Sequence, residues 1–148
     1  MNAPISTILE KKGEEIFSVA SNVTVSEAVQ EMNKRRTGDV LVMDGDKLVG
    51  IFTERDVLVR VVGANRDPRS TPIAHVMTRD PVTIDAASTV EEVMDQHTGR
   101  HFRHLPVMDH GRLIGVLSVR DIMRYIADCN SVKAERLEEF IETGRNDI

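Results

Sequence analysis

Apolar and polar positions along this chain change period in a fixed order, and the same order occurs twice. Residues 17–19 and 82–84 form short extended pieces, and each is followed by a polar turn. An amphipathic helix comes next, because apolar residues recur at helical spacing in both places: Val25, Ala28, Val29 and Met32 first, then Val90, Val93 and Met94. Paired apolar runs at 40–43 and 48–52, and at 105–108 and 113–117, predict two β-hairpins. A second helix, at 57–62 and 122–127, closes each unit.

A shift of 65 residues, the separation of Asp56 and Asp121, aligns the two units without a gap. The shift pairs Gly50-Ile51-Phe52-Thr53-Glu54-Arg55-Asp56 with Gly115-Val116-Leu117-Ser118-Val119-Arg120-Asp121. Internal repeats of this kind decide the architecture. A β-α-β-β-α unit is too small to cover both faces of its own sheet, so two copies are expected to pack together. The fold class is therefore α/β, with one repeat at 17–63 and the other at 82–128.

Three segments lie outside the predicted repeats. Residues 1–16 form an N-terminal flank with a helix at 5–12. A turn-rich linker at 64–81 contains a short helical turn at 73–77. Residues 129–148 form a C-terminal flank, in which a helix at about 132–143 places Leu137, Phe140 and Ile141 on one face.

Composition narrows the class of protein. The chain of 148 residues is 41% apolar and 29% charged, with a net charge of −5 and no basic block, so nucleic acid is not the expected partner. No apolar run approaches the roughly 20 residues that span a bilayer, and the N-terminus lacks the features of a signal peptide. The single cysteine, Cys129, excludes an internal disulfide and favours a reducing compartment. We therefore expect a cytoplasmic protein that does not associate with membranes.

The repeated Gly-x-x-(Thr/Ser)-x-x-Asp motif has two interpretations. Thr53 and Ser118 each lie three residues before an acidic side chain, which is the pattern of a helix capping box. The same arrangement also suits a nucleotide, because a helix N-terminus attracts anions and an arginine can bind phosphate. The aspartate then offers two oxygens to ribose hydroxyls. Spacing alone leaves both interpretations open.

The duplicated unit, with this motif at each strand-to-helix junction, resembles the CBS domain family (cystathionine β-synthase-type domains). The segment at 103–107, Arg-His-Leu-Pro-Val, also resembles the family's entry into the second strand. The resemblance covers about 17–128 and implies two repeats packed with pseudo-twofold symmetry. It also implies clefts that bind adenosyl ligands such as AMP, ADP, ATP, NAD(H) or S-adenosylmethionine, with no catalytic cofactor.

The resemblance assigns roles to residues of both repeats. Asp56 and Asp121 would hold ribose hydroxyls. The hydroxyl and guanidinium groups of the motifs would lie along the phosphates. The early extended pieces would contact adenine, and the entries to the second strands would line the rest. In chain order, these further residues are Ser18, Val19, Thr37, Gly38, Asp39, Val40, Thr53, Arg55, Thr83, Ile84, Arg103, His104, Leu105, Pro106, Ser118 and Arg120.

The two predicted sites differ in charge. Gly38-Asp39 in the first repeat corresponds to Arg103-His104 in the second. An aspartate near a phosphate is unfavourable, whereas arginine and histidine favour it. We therefore expect unequal sites, with the second better suited to a charged or longer ligand.

Other candidate chemistry is weaker. His97 and His101 have the spacing of zinc ligands, with His104 and His110 nearby, but no carboxylate or cysteine completes the set. Residues 44–46, Asp-Gly-Asp, lack the rest of a calcium loop and predict a hairpin turn. No nucleophile–base arrangement or phosphate-binding Walker loop is present. We therefore predict no metal site and no catalytic residue.

These observations predict a non-catalytic sensor of adenine nucleotides that reports to a regulated protein not identifiable from the sequence. The alternative is an interaction or scaffold module with vestigial clefts, and an enzyme acting on a nucleotide is the weakest candidate. We also expect a homodimer, because a stripe of apolar residues faces outward on the closing helices: Leu58, Val61, Val62, Met123, Ile126 and Ala127.

Overall fold

The computed structural model describes residues 3–13, 16–97 and 104–145. The chain divides into two compact units, each built around one repeat. The first-repeat unit comprises Glu15–Thr83 and Met108–Ile114, and the second-repeat unit comprises Met1–Glu14, Ile84–Val107 and Gly115–Ile148. The first-repeat unit therefore contains its whole repeat, whereas the second-repeat unit lacks residues 82–83 and 108–114 of its own repeat.

The first-repeat unit is built on a four-stranded sheet in the order β1-β2-β3-β4. Strand β1 (Ser18–Ala20) runs parallel to β2 (Asp39–Asp44), which pairs antiparallel with β3 (Lys47–Thr53). The turn between β2 and β3 confirms the hairpin interpretation of residues 44–46, and Gly45 adopts a φ of 61° there. Strand β4 (Thr78–Arg79), which the sequence did not predict, pairs antiparallel with β3.

Helix α2 (Val25–Arg35) packs its apolar side against this sheet. Thr24 and Glu27 form a reciprocal capping box at its start. Because Val25, Ala28 and Met32 recur at helical spacing, one face of the helix enters the core with Phe52 of β3. The predicted amphipathic helix is therefore confirmed.

The closing helix of the first repeat is not a regular α-helix. One turn, α3 (Glu54–Asp56), continues as a π-helix over Val57–Val62, and Gly63 N donates to Leu58 O over five residues at 2.8 Å. The prediction that Val61 belongs to an exposed stripe was wrong, since it is only 2% exposed, whereas Leu58 and Val62 are exposed.

The second sheet has three strands in the order β5-β6-β7, and the hairpin end of β6 and β7, within Met108–Ile114, belongs to the first-repeat unit. The strands are β5 (Ile84–Asp85), β6 (His104–Asp109) and β7 (Arg112–Ser118), and the helices of the second-repeat unit are α1 (Ile5–Lys12), α4 (Val90–His97) and α5 (Val119–Arg145). No described helix is both long enough and apolar enough to cross a membrane.

Helix α5 joins two elements that the sequence analysis separated. The closing helix of the second repeat and the C-terminal helix are one continuous helix of 27 residues. No glycine or proline interrupts residues 119–143, so nothing in the backbone chemistry ends the helix at the expected boundary.

The segment that precedes each repeat is built into the unit of the other repeat. In the first-repeat unit, Pro72 bridges to Thr24 and Ile73 N donates to Val23 O at 2.8 Å. In the second-repeat unit, Pro4 bridges to Thr89 and Ile5 N donates to the Ser88 carbonyl at 2.8 Å. The two segments begin with the same Pro-Ile pair and make the same contacts, so each completes a repeat to which it does not lead in sequence.

Candidate functional site

The first motif forms the predicted helix cap. The Thr53 hydroxyl accepts a hydrogen bond from Asp56 N at 3.3 Å, and the Asp56 carboxylate accepts one from Thr53 N at 3.0 Å. These two bonds satisfy backbone donors that the start of a helix leaves without intrahelical partners. The capping interpretation of the motif is therefore confirmed in the first repeat.

Asp56 also has partners outside its own motif. The Thr78 hydroxyl, on β4, lies 3.2 Å from Oδ1 and 3.3 Å from Oδ2. Arg60 Nε lies 3.6 Å from Oδ1, and the same guanidinium donates to the Met77 carbonyl at 2.7 Å. Asp56 is 6% exposed. Both of its oxygens are thus engaged within the chain, as a buried carboxylate requires.

The entry to β2 lies beside the first motif. Asp39 pairs with Thr53 across the hairpin, and the Gly38 carbonyl accepts from Glu54 N at 2.9 Å. A Cβ on Gly38 would lie 2.7 Å from Glu54 Oε1, so the glycine permits this close approach. The Thr37 hydroxyl donates to the Asp39 carbonyl at 3.2 Å. The structure therefore brings these predicted site residues to one edge of the sheet.

Other predicted residues of the first repeat are placed by the strands. Ser18 and Val19 lie on β1, paired with Leu41 and Val42. Arg55 is exposed beside the motif, and Val40 is a core residue at 2% exposure. Any ligand contact from Val40 would therefore come from its backbone.

The second motif repeats the cap. Asp121 N donates to the Ser118 hydroxyl at 3.1 Å, and Ser118 N donates to Asp121 Oδ2 at 2.8 Å. The Asp121 side chain is 18% exposed, compared with 8% for Asp56. The second carboxylate is therefore the more accessible of the two.

Lys12, at the end of α1, binds this second motif. Its Nζ lies 2.7 Å from Asp121 Oδ2 and donates to the Val116 carbonyl at 2.9 Å. Burial raises the pKa of the Asp121 carboxyl, but the hydrogen bonds from Lys12 and Ser118 and the charge of Lys12 outweigh burial and hold that pKa below its ordinary value of 3.8. The carboxylate is therefore ionised at neutral pH.

The remaining predicted residues of the second repeat differ in accessibility. Ile84, Leu105 and Pro106 are buried, whereas Arg120 is exposed and His104 is half-buried at the start of β6. Thr83 is exposed and is the last residue of the main segment of the first-repeat unit. Arg103 lies outside the described residues.

Both motif glycines permit close packing of a side chain from one of the two segments that begin with Pro-Ile. A Cβ on Gly50 would lie 2.5 Å from Met77 Sδ, and one on Gly115 would lie 2.4 Å from Leu9 Cδ1. Met77 and Leu9 each follow their Pro-Ile pair by the same number of residues. The glycines therefore seat the two segments that deliver Thr78 to Asp56 and Lys12 to Asp121.

Thr78 and Lys12 were absent from the predicted site because both lie outside the predicted repeats. A sequence signal was nonetheless available. Aligning Pro4-Ile5 with Pro72-Ile73 would have identified the two segments as equivalent and directed attention to the residues that follow them.

A separate cleft of about 430 Å³ lies within the first-repeat unit. Its lining includes Ser18 and two opposite charges, Asp46 and Arg112, and is completed by Ile16, Met43, Gly45 and Leu113. Of the predicted site residues, the lining includes Ser18 alone. The cleft is therefore not formed around either motif.

The alternative zinc set cannot be assembled from the described residues. His101 and the side chain of His97 lie outside them, and His110 Nε2 lies 3.6 Å from Asp109 Oδ1. Within residues 3–13, 16–97 and 104–145, no group of three or more His, Cys, Asp or Glu side chains is placed to hold a metal ion. Cys129 is a partly buried free thiol.

Comparison with known proteins gives a consistent result. The family model for the CBS domain matches residues 6–63 and 73–128. Both matches begin inside the segments that open with the Pro-Ile pairs, so each extends beyond the repeat predicted from sequence.

Similar proteins include short chains and much longer ones. An uncharacterized 17.7 kDa protein of Acidianus ambivalens is 34% identical over 132 residues, covering 87% of this chain and 79% of the relative. A CBS domain-containing protein of Arabidopsis thaliana is 31% identical over 130 residues, covering 87% of this chain, but this chain spans only 22% of its length.

Solved structures share the fold. A protein of Burkholderia ambifaria, provisionally named as a signal-transduction protein with CBS domains, is 33% identical with a TM-score of 0.75 and covers 84% of this chain and 93% of its own. A CBS-domain containing protein of Agrobacterium tumefaciens is 31% identical with a TM-score of 0.73, covering 83% of this chain and 98% of its own. The predicted α/β pair of repeats is confirmed.

Proposed function

Because this chain belongs to the CBS domain family as a tandem pair of repeats, we propose that it is a regulatory module that binds an adenine nucleotide and has no catalytic activity of its own. AMP, ADP or ATP and NAD(H) are the candidate ligands. The signal would pass to a regulated protein by a shift between conformations that the ligand binds unequally. The single cysteine supports a reducing compartment, such as the cytoplasm, as its location.

One observation carries this proposal: both repeats have a carboxyl group, a hydroxyl and an arginine at the start of a helix. In the second repeat, Asp121 retains 18% side-chain exposure, and Ser118 and Arg120 lie within the same turn. A carboxylate accepts hydrogen bonds from ribose hydroxyls, and the helix N-terminus and Arg120 favour phosphate. In the first repeat the corresponding residues are Asp56, Thr53 and Arg55.

A second candidate function has support in the first motif. Asp56 is almost fully buried and has hydrogen-bond partners on both oxygens, so its carboxylate already performs a structural role. That observation favours an interaction module in which the first motif is a helix cap without a ligand. The two candidates are separated by whether nucleotide binds at all.

A homodimer forms part of the proposal. Leu58, Val59 and Val62 are between 59% and 66% exposed on the first closing helix, and Met123 is 63% exposed on α5. Large apolar side chains exposed together on one helix, as Leu58, Val59 and Val62 are, are typical of surfaces that bind another protein. Light scattering at micromolar concentration should give twice the chain mass. A strictly monomeric mass would contradict the dimer.

Thermal unfolding in the presence of AMP, ADP, ATP, NAD, NADH and S-adenosylmethionine tests the ligand. A ligand at a hundred times its dissociation constant stabilises the fold by about 2.7 kcal/mol, which corresponds to roughly 8 °C for a chain of this size. Asp121→Asn should reduce the shift if the second motif binds. Consumption of the ligand over hours by pure protein would contradict the absence of catalysis. No shift with nucleotide-free protein would favour the interaction module.

A further inference from the structure

The two motifs differ systematically when corresponding positions are compared. Under the 65-residue shift, the aspartates and the adjacent arginines match, but three charged positions of the first repeat lose their charge in the second. Asp39 corresponds to His104, Glu54 to Val119, and Arg60 to Tyr125. The differences therefore remove two carboxylates and one guanidinium from the surroundings of the second motif.

The side chain that reaches each carboxylate from outside its own repeat also differs. Asp56 is bound by the neutral hydroxyl of Thr78, whereas Asp121 is bound by the ammonium of Lys12. Counting these residues with histidine neutral, the first motif has three negative and two positive charges. The second has one negative and two positive, including Lys12. Over these described residues the second motif is more positive by two charges, and its net charge of +1 would be zero without Lys12. Arg103, which corresponds to Gly38, lies outside the described residues and is not counted.

Lys12 is held at this motif by the helix that carries it. Ile5, Ile8 and Leu9 of α1 are each at most 5% exposed, so the backbone of the helix is anchored in the core of the second-repeat unit. Lys12 Nζ uses two of its three donors on Val116 O and Asp121 Oδ2. Because Lys12 binds Oδ2 of Asp121, a ligand hydroxyl can bind Oδ1 while Lys12 stays in place.

We propose that Lys12 is a specificity-determining residue of the second motif, and that it makes this motif select a phosphate-bearing adenosyl ligand over an uncharged or cationic one. This inference rests on the proposed function. A fixed ammonium beside a partly buried carboxylate neutralises that carboxylate, which would otherwise repel a phosphate bound at the start of α5. A sulfonium ligand such as S-adenosylmethionine gains nothing from this cation and is repelled by it.

Isothermal titration of the full-length protein with ADP, adenosine and S-adenosylmethionine tests the proposal. Lys12→Gln removes the charge, and Lys12→Arg retains it. Lys11→Gln is the matched control, because Lys11 is the neighbouring cation and lies 5.7 Å from the Tyr125 ring centre instead of on Asp121. The Lys12→Gln variant should bind ADP about tenfold or more weakly than the wild type, because it loses a charge-assisted interaction.

The other ligands provide the discriminating result. Lys12→Gln should change the affinity for adenosine less than about threefold and raise the affinity for S-adenosylmethionine relative to ADP, while Lys12→Arg and Lys11→Gln remain close to the wild type. Equal loss of ADP and adenosine, or an equal effect of Lys11→Gln, would overturn the role of Lys12. Wild-type protein that binds ADP while Lys12→Gln is unchanged would overturn this inference alone. Wild-type protein that binds none of the three, and none of AMP, ATP and NAD(H) in the same titration, would overturn the proposed function as well.

Discussion

The contact between Leu9 and Gly115 permits a quantitative test of how α1 is held. Leu9 is 5% exposed, and truncation to alanine should cost about 2.5–4 kcal/mol, since it removes three buried carbons and leaves a cavity. Gly115→Ala should cost about 1–2 kcal/mol, because the new methyl would lie 2.4 Å from Leu9 Cδ1 and 2.7 Å from Cδ2.

The double variant distinguishes a direct contact from two independent effects. With Leu9 truncated, the Gly115→Ala methyl enters the vacated space, so the double variant should cost at least about 1 kcal/mol less than the two single costs added together. Urea unfolding followed by circular dichroism measures this, and each kcal/mol corresponds to roughly 3 °C in Tm.

The equivalent pair in the first repeat is the control. A Cβ on Gly50 would also lie 2.9 Å from the backbone carbonyl of Thr78, which truncation of Met77 does not move. Met77→Ala should therefore rescue Gly50→Ala much less than Leu9→Ala rescues Gly115→Ala. Costs that simply add in the Leu9–Gly115 cycle would refute the close packing of α1 on the motif.

Three further predictions concern the carboxylates and the core. Thr78→Ala should lower the free energy of unfolding by about 1–2 kcal/mol, because it removes a donor to the buried Asp56 carboxylate, and Thr78→Ser should restore most of the loss. Because the folded-state pKa of Asp121 is lowered, the contribution of this carboxylate to stability should be complete at pH 7 and disappear as the pH falls below about 3.8. The difference in unfolding free energy between wild type and Asp121→Asn should therefore shrink between pH 7 and pH 3. A constant or growing difference would contradict the ion pair. Val61→Ala should cost roughly 2 kcal/mol and Val59→Ala less than about 0.5 kcal/mol in dilute protein, and equal costs would contradict the burial of Val61 and the exposure of Val59.

The repeats and their elements were predictable because local signals agree with the fold. Helix α2 has both an apolar stripe and a capping box, and each hairpin has a turn residue where the backbone needs positive φ. The motif caps could likewise be read from the spacing of Thr53 and Asp56. These features depend on residues that are close in sequence, where propensity and periodicity act directly.

The unpredicted features depend on contacts between distant residues. Lys12 and Asp121 are more than a hundred positions apart, and no sequence pattern near either residue indicates that they pair. The π-helix over Val57–Val62 is likewise invisible to a search for α-helical period. Strand β4 has only two residues, too few for a period, and exists because β3 offers it an edge.

Because α5 is continuous, the second motif lies at one end of a long helix. The helix begins directly after Ser118 and ends at Arg145, and 27 residues at 1.5 Å each form a rod about 40 Å long. A tilt of about 5° at the capped end, which is small on the scale of known helix movements, displaces the other end by roughly 3–4 Å. A rotation of the helix about the capped turn that holds Asp121 would therefore produce its largest displacement at Arg145.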